Sequence, residues 1–119
     1  MNAQKLLYVF TQAPYSNSAG IEALDAVLIG ATFEQEVSVL FVHNGVFQLN
    51  VDQSTRDDVK QFTKAFKALD DFGVENIYVD RLSMESRGLT RSQLMCDVVA
   101  LESEQVKALI AKQFRVFTF

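Results

Sequence analysis

Short apolar runs alternate along this chain with longer stretches whose apolar residues fall on one side. Residues 6–10 (LLYVF) and 37–42 (VSVLFV) are continuous, rich in β-formers and of strand length. Residues 77–79 and 95–99 repeat the pattern more weakly, and residues 115–119 (RVFTF) supply a fifth candidate strand. None of these runs alternates polar with apolar positions, which is how strands covered on both faces read. The stretches between them have helical spacing. Within residues 18–33, Leu24, Val27, Leu28 and Ala31 stand at i, i+3, i+4 and i+7. Within residues 56–72, Val59, Phe62, Phe66 and Leu69 form a second stripe. Ser54-Thr55-Arg56-Asp57 has the form of a capping box, and Gly73 suits the position beyond that helix. A short helix is predicted over residues 83–87, closed by Gly88. Another is predicted over residues 102–112, with Val106, Leu109 and Ile110 facing inward.

The order is strand–helix repeated to a terminal strand. It predicts an α/β fold of three layers, with a mostly parallel five-stranded sheet between helices, in one domain over residues 1–119.

Composition narrows the function classes. Hydrophobic residues make up 49% of the chain and charged residues 22%, values of an ordinary soluble globular protein. The net charge is −4 and the basic residues are scattered, so neither direct nucleic-acid binding nor attachment to an anionic membrane is expected. One cysteine excludes an internal disulfide framework. No run approaches the ~18–20 apolar residues of a spanning helix. The start, MNAQKLLYVF, does not read as a secretory leader, and a reducing cytoplasm is the expected compartment.

Ligands of open α/β sheets bind beyond the carboxyl ends of the strands, which directs attention to four segments. The loop over residues 11–18 is rich in hydroxyls and opens a helix. It fits a flavodoxin-like phosphate site for FMN, or a surface loop in which Ser16 or Ser18 caps the helix. His43, the single histidine, precedes an Asn44-Gly45 turn signal and stands as a loop or interface residue, since zinc needs more ligands than one histidine provides. After it, Gly45–Leu49 places Val46, Phe47 and Leu49 outside the regular pattern. With ten phenylalanines in the chain, His43, Val46, Phe47, Gln48 and Leu49 form a candidate subunit interface, or else the cover over one end of the core. Asp80, Arg81 and Arg87 follow the third strand and are a candidate anion or partner contact, or a solvated ion pair. Cys96 sits among apolar residues in QLMCDVVAL, where burial raises a thiol pKa and keeps it inert. No metal site, cofactor or catalytic group is assigned on these grounds.

Three stretches together resemble the TusC/DsrF proteins, of DsrE-like fold. They are residues 5–28 (KLLYVFTQAPYSNSAGIEALDAVL), 39–49 (VLFVHNGVFQL) and 66–89 (FKALDDFGVENIYVDRLSMESRGL), and GVFQL is the most specific piece. The resemblance implies a subunit of a TusB–TusC–TusD-type complex, a dimer of heterotrimers. That complex passes persulfide sulfur from a TusA-like carrier toward a TusE-like carrier, for 2-thiouridine at the tRNA wobble position. The DsrE–DsrF–DsrH counterpart in sulfur oxidation stays open. The resemblance also implies that the persulfide cysteine belongs to the TusD-like subunit, just after the third strand. The matching residues here, 78–88, hold Asp80, Arg81, Ser83 and Arg87 and no cysteine. A non-catalytic subunit follows, with a Cys96-dependent sulfurtransferase and a flavodoxin-like binding module as the alternatives. An isolated chain would use the same surface to form a homo-oligomer.

Overall fold

A computed structural model of the protein describes residues 4–12, 26, 27, 29, 36–49, 74, 76–94 and 97–119. Strands β1 (Lys5–Phe10), β2 (Glu36–Phe41), β3 (Asn76–Asp80), β4 (Val99–Leu101) and β5 (Arg115–Thr118) form one sheet in the order β4-β3-β2-β1-β5. Every pairing is parallel: Tyr8 stands beside Val39 and Phe117, Val39 beside Ile77, and Tyr78 beside Val99. Parallel neighbours require crossovers, and two described helices follow strands directly: α1 (Arg81–Ser86) after β3 and α2 (Ser103–Ala111) after β4.

The alternation of each strand sorts the core onto two faces. Leu7, Val9 and Leu40 face α2, which meets them with Val106 and Leu109. Tyr8, Phe10, Val39, Phe41, Ile77 and Val79 face the other way, against Val27, Val46, Leu49, Met84 and Leu89. On that face Phe10 stacks on Phe41 at 4.8 Å between ring centroids, and Tyr8 on Phe117 at 5.1 Å. The α/β architecture with a parallel five-stranded sheet is thus the one the apolar pattern predicts.

Four expectations need adjustment or fall outside the described residues. The fourth strand is Val99–Leu101, not residues 95–99. The apolar signal before it comes from Leu94 and Val98, which are buried in the core as the chain approaches the sheet. Ile110 does not face inward: it is 41% exposed, and Val106 and Leu109 make the α2 contact. The 102–112 stripe is therefore narrower than its apolar content suggested. Of the 18–33 stripe, Val27 is fully buried and Ile29 is exposed, while Leu24, Leu28 and Ala31 lie outside the described residues. The predicted helix over residues 56–72, with its cap, also lies outside them. Among the described residues no helix is long and apolar enough to cross a membrane.

Candidate functional site

Because all the strands run in one direction, their carboxyl ends gather the segments that follow β1, β2 and β3 at one end of the sheet. Immediately after β2 the chain turns into a 3-10 helix, His43–Leu49. Gly45 sets its position. A β-carbon there would stand 1.8 Å from the Phe10 carbonyl oxygen, so only glycine lets this turn lie against the end of β1. The Gly45 amide donates to the Val42 carbonyl at 2.8 Å, and the Val42 amide to that of Phe10 at 3.0 Å. Val46 and Leu49 then drop into the core with no exposed surface, and Phe47 is half-buried. Gln48 is buried as well, its amide nitrogen donating to the Gln12 carbonyl at 3.0 Å.

This corrects the expectation that Val46, Gln48 and Leu49 face a neighbouring subunit. They cover the end of the chain's own core. His43 and Asn44 are the exposed part of the segment.

His43 has a left-handed backbone, φ 51°, which turns the chain sharply out of β2. Its amide donates to Ser83 Oγ at 2.8 Å. Ser83 is the junction of the site. Its hydroxyl donates to Asp80 Oδ2, and its own amide donates to the same oxygen at 3.2 Å. Asp80 is the N-cap of α1, the reason the helix starts at Arg81 and not at Ser83. Four residues after Ser83, at the C-cap of the helix, Arg87 reaches back to the other loop. Its Nε donates to Asn44 Oδ1 at 3.0 Å and its Nη1 to the Ser83 carbonyl at 3.3 Å. Gly88, φ 69°, then reverses the chain and returns Leu89 to the core. The loops after β2 and β3 are therefore laced together by a serine, an aspartate, an asparagine and an arginine.

Arg81 points elsewhere. It pairs with Glu85 at 2.8 Å and with Glu102, and these hydrogen bonds, Glu85 first, hold its guanidinium pKa above the ordinary value. All three side chains are more than half exposed, so the triad is an ion-pair surface that contributes little to stability. Both Arg81 and Arg87 are engaged within the chain, as the ion-pair alternative expects of charges at this position. Asp80 is consumed as a helix cap.

The remaining expected features separate from this site. Thr11 spends its hydroxyl on the Phe119 carbonyl, 2.6 Å away, tying the end of the chain to β1. The rest of the proposed phosphate loop, residues 13–18, lies outside the described residues, as does Cys96. Among the described residues no three His, Cys, Asp or Glu side chains stand together as metal ligands. Ser83 and Asn44 join the site without being candidates in the sequence reading, although Asp80-x-x-Ser83 has the spacing of a capping pair.

Chemically the site is a closed network. Ser83 is only 4% exposed, with its oxygen accepting from His43 and its proton aimed at Asp80. It has no open line to a substrate. What the site offers outward is shape and polarity: the exposed His43 and Asn44 held rigidly beside α1.

Known proteins resemble this chain in sequence and in fold. The DsrE/DsrF-like family model matches residues 4–119. The intracellular sulfur oxidation protein DsrF of Allochromatium vinosum is 45% identical over 93 residues, 77% of this chain and 68% of that protein. A TusC homolog of Vibrio vulnificus is 32% identical over 116 residues, 97% of this chain and 98% of the relative. A TusC homolog of Pseudomonas aeruginosa is 33% identical over 117 residues, 98% of each. The crystal structure of the ychN protein from E. coli superposes with a TM-score of 0.84 at 16% identity, covering 98% of this chain and 99% of that one, which speaks for the fold alone.

Proposed function

Since the chain belongs to the DsrE/DsrF-like family, we propose that it is a non-catalytic subunit of a cytoplasmic sulfur-relay complex. In this reading it assembles with TusB-like and TusD-like subunits, and the partner carries the reactive sulfur that serves 2-thiouridine synthesis in tRNA. The observation that carries the reading is the state of the segment after β3. A persulfide carrier needs an exposed thiolate in an electropositive setting. Here that segment presents a buried hydroxyl committed to Asp80 and His43, beside arginines already engaged within the chain. The same hydrogen bonds support an assembly role, because they fix the shape of a surface instead of freeing a nucleophile.

A second reading of the pathway is favoured by one comparison. Identity to the sulfur oxidation protein DsrF is 45%, against 32% and 33% to the TusC homologs, although over a shorter match. A DsrF-type subunit in sulfur oxidation keeps the same non-catalytic role and changes only the fate of the sulfur.

The test of the non-catalytic role is Cys96→Ser in cells that depend on this chain for thiolation. The expected outcome is unchanged 2-thiouridine content and no persulfide on Cys96 by mass spectrometry of the wild-type protein. A folded, assembled Cys96→Ser protein that abolishes thiolation would instead make Cys96 a relay cysteine.

A further inference from the structure

The sheet ends on one side with β5, and no strand stands beyond it among the described residues. The backbone of β5 is half committed. The Phe119 amide donates to the Val9 carbonyl at 2.9 Å, and the Phe119 carbonyl accepts from the Thr11 amide at 2.8 Å, so Phe119 turns both groups toward β1. Strand alternation then turns those of Phe117 toward β1 and those of Val116 and Thr118 away from it. The side chains divide between the two faces. Val116 stands beside Leu7, on the face that α2 covers, and Phe117 stacks on Tyr8, on the opposite face; they are 38% and 40% exposed. The strand therefore presents an open backbone edge with apolar side chains above and below it. The devices that usually guard an edge are missing: residues 116–118 hold no charge and no proline, and β5 keeps its register with β1 from Leu6 to Val9 without a bulge. The one charge of the strand, Arg115, lies over the Phe114 ring, 5.2 Å from its centroid.

We propose that β5 is a self-association edge, at which a second copy of this chain pairs its own β5 antiparallel, about a twofold axis at Phe117. An open backbone edge calls for a strand, and the sequence of β5 suits its own copy. The outward groups fix the register: Val116 meets Thr118 of the second copy, each pair exchanging its N–H and C=O groups. Phe117 then faces its own counterpart where antiparallel strands approach most closely, at about 4.5 Å between α-carbons. On the other face the pairs are two β-branched residues, which also pack well across strands. A one-residue slip would pair Val116 with Phe117, whose groups are spent on β1. A two-residue slip toward the start of the strand would pair Thr118 with Phe114, whose amide already donates to the Lys5 carbonyl at 2.8 Å. In the favoured register the two Arg115 residues stand about 14 Å apart along the strands, beyond the ~10 Å over which exposed charges act. The edge is short, so the contact falls below the ~1,200 Å² of a standard interface and the dimer is weak, with a Kd of about 100 µM. This surface is not the 43–49 turn, most of which is core. It needs no other subunit, and so goes beyond the relay reading without resting on it.

The test is sedimentation of the full chain alone, from about 10 µM, where it should be mostly monomer, to about 1 mM, where it should be mostly dimer. Thr118→Pro removes an outward donor and leaves the bonds of Phe117 and Phe119 to β1 in place. It should weaken dimerisation about tenfold or more while the circular dichroism spectrum is kept. If that variant loses its fold, Phe117→Lys reads the same contact, because it sets two like charges opposite each other at the axis. A monomer at about 1 mM overturns the proposal, as does a dimer that both substitutions leave unchanged. A chain that stays monomeric alone, but whose Thr118→Pro variant no longer joins TusB-like and TusD-like subunits, gives the edge to another subunit's strand and also overturns it. A dimer that responds to Thr118→Pro, from a chain that never joins those subunits, supports the edge and refutes the relay reading alone.

Discussion

Two aromatic-bearing segments lie at opposite fates in this molecule: the His43–Leu49 turn after β2, and the β5 strand with its lead-in residue Phe114. Both are short, and both bring apolar side chains to the boundary of the sheet. The turn is absorbed: Val46 and Leu49 have no exposed surface, and Gly45 is pressed onto the end of β1. The edge strand stays outside: Phe114 is 55%, Val116 38% and Phe117 40% exposed. The difference lies in what each segment has on its far side. The turn follows an interior strand, between β1 and β3, and meets α1 through Ser83 and Arg87. The other is the last strand of the sheet, with β1 on one side only. Apolar composition alone does not distinguish buried from exposed at a sheet boundary; the position in the strand order does.

The comparison can be broken by substitution, and Gly45→Ala should have the largest effect. The new methyl has no room against the Phe10 carbonyl, which is backbone and cannot swing aside. A loss of about 4 kcal/mol is expected by urea denaturation. A loss below about 1 kcal/mol would mean that the turn does not lie on β1 as described. Leu49→Ala comes next, at about 3 kcal/mol, from lost burial plus the cavity left behind. Val116→Ala on the edge strand sharpens the contrast, since a side chain already partly in water should cost less than about 1 kcal/mol. Equal losses at Leu49 and Val116 would contradict the division into an absorbed turn and an open edge.

The smallest effect is one of pH. Burial pushes the Tyr8 phenol above its ordinary value of 10.0. The unfolded chain then releases this proton first. The contribution is therefore complete below about pH 10 and is lost as pH rises through the raised folded value. Tyr8→Phe should flatten the alkaline decline in stability, read from denaturation midpoints on either side of about pH 10. A decline unchanged in Tyr8→Phe would assign it to other groups.

Much of the fold was legible because the interior strands are apolar on both faces. Residues 6–10 and 37–42 mark β1 and β2 with an error of one residue at an end, and residues 115–119 mark β5 almost as closely. The fourth strand was misplaced because Leu94 and Val98 are core residues in an approach segment, and a short apolar run does not reveal whether its backbone is paired. The candidate site was half legible. Its location followed from the parallel order, since chain segments must converge beyond the strands' carboxyl ends. The direction of each side chain did not follow. Gly45–Leu49 reads equally as a surface patch or a core plug, and only the approach of Gly45 to Phe10 decides for the plug. Likewise Asp80, Arg81 and Arg87 read as available charges until Ser83, Glu85, Glu102 and Asn44 are seen to hold them.

The proposed subunit role rests on assembly: the segment after β3 holds no cysteine, so in that reading a partner brings the sulfur chemistry. Native mass measurement of the chain co-expressed with TusB-like and TusD-like subunits tests this most directly. The account predicts a complex containing all three chains in equal numbers, at the mass of two heterotrimers. Recovery of this chain free of both partners, alone or as a homo-oligomer, would contradict it.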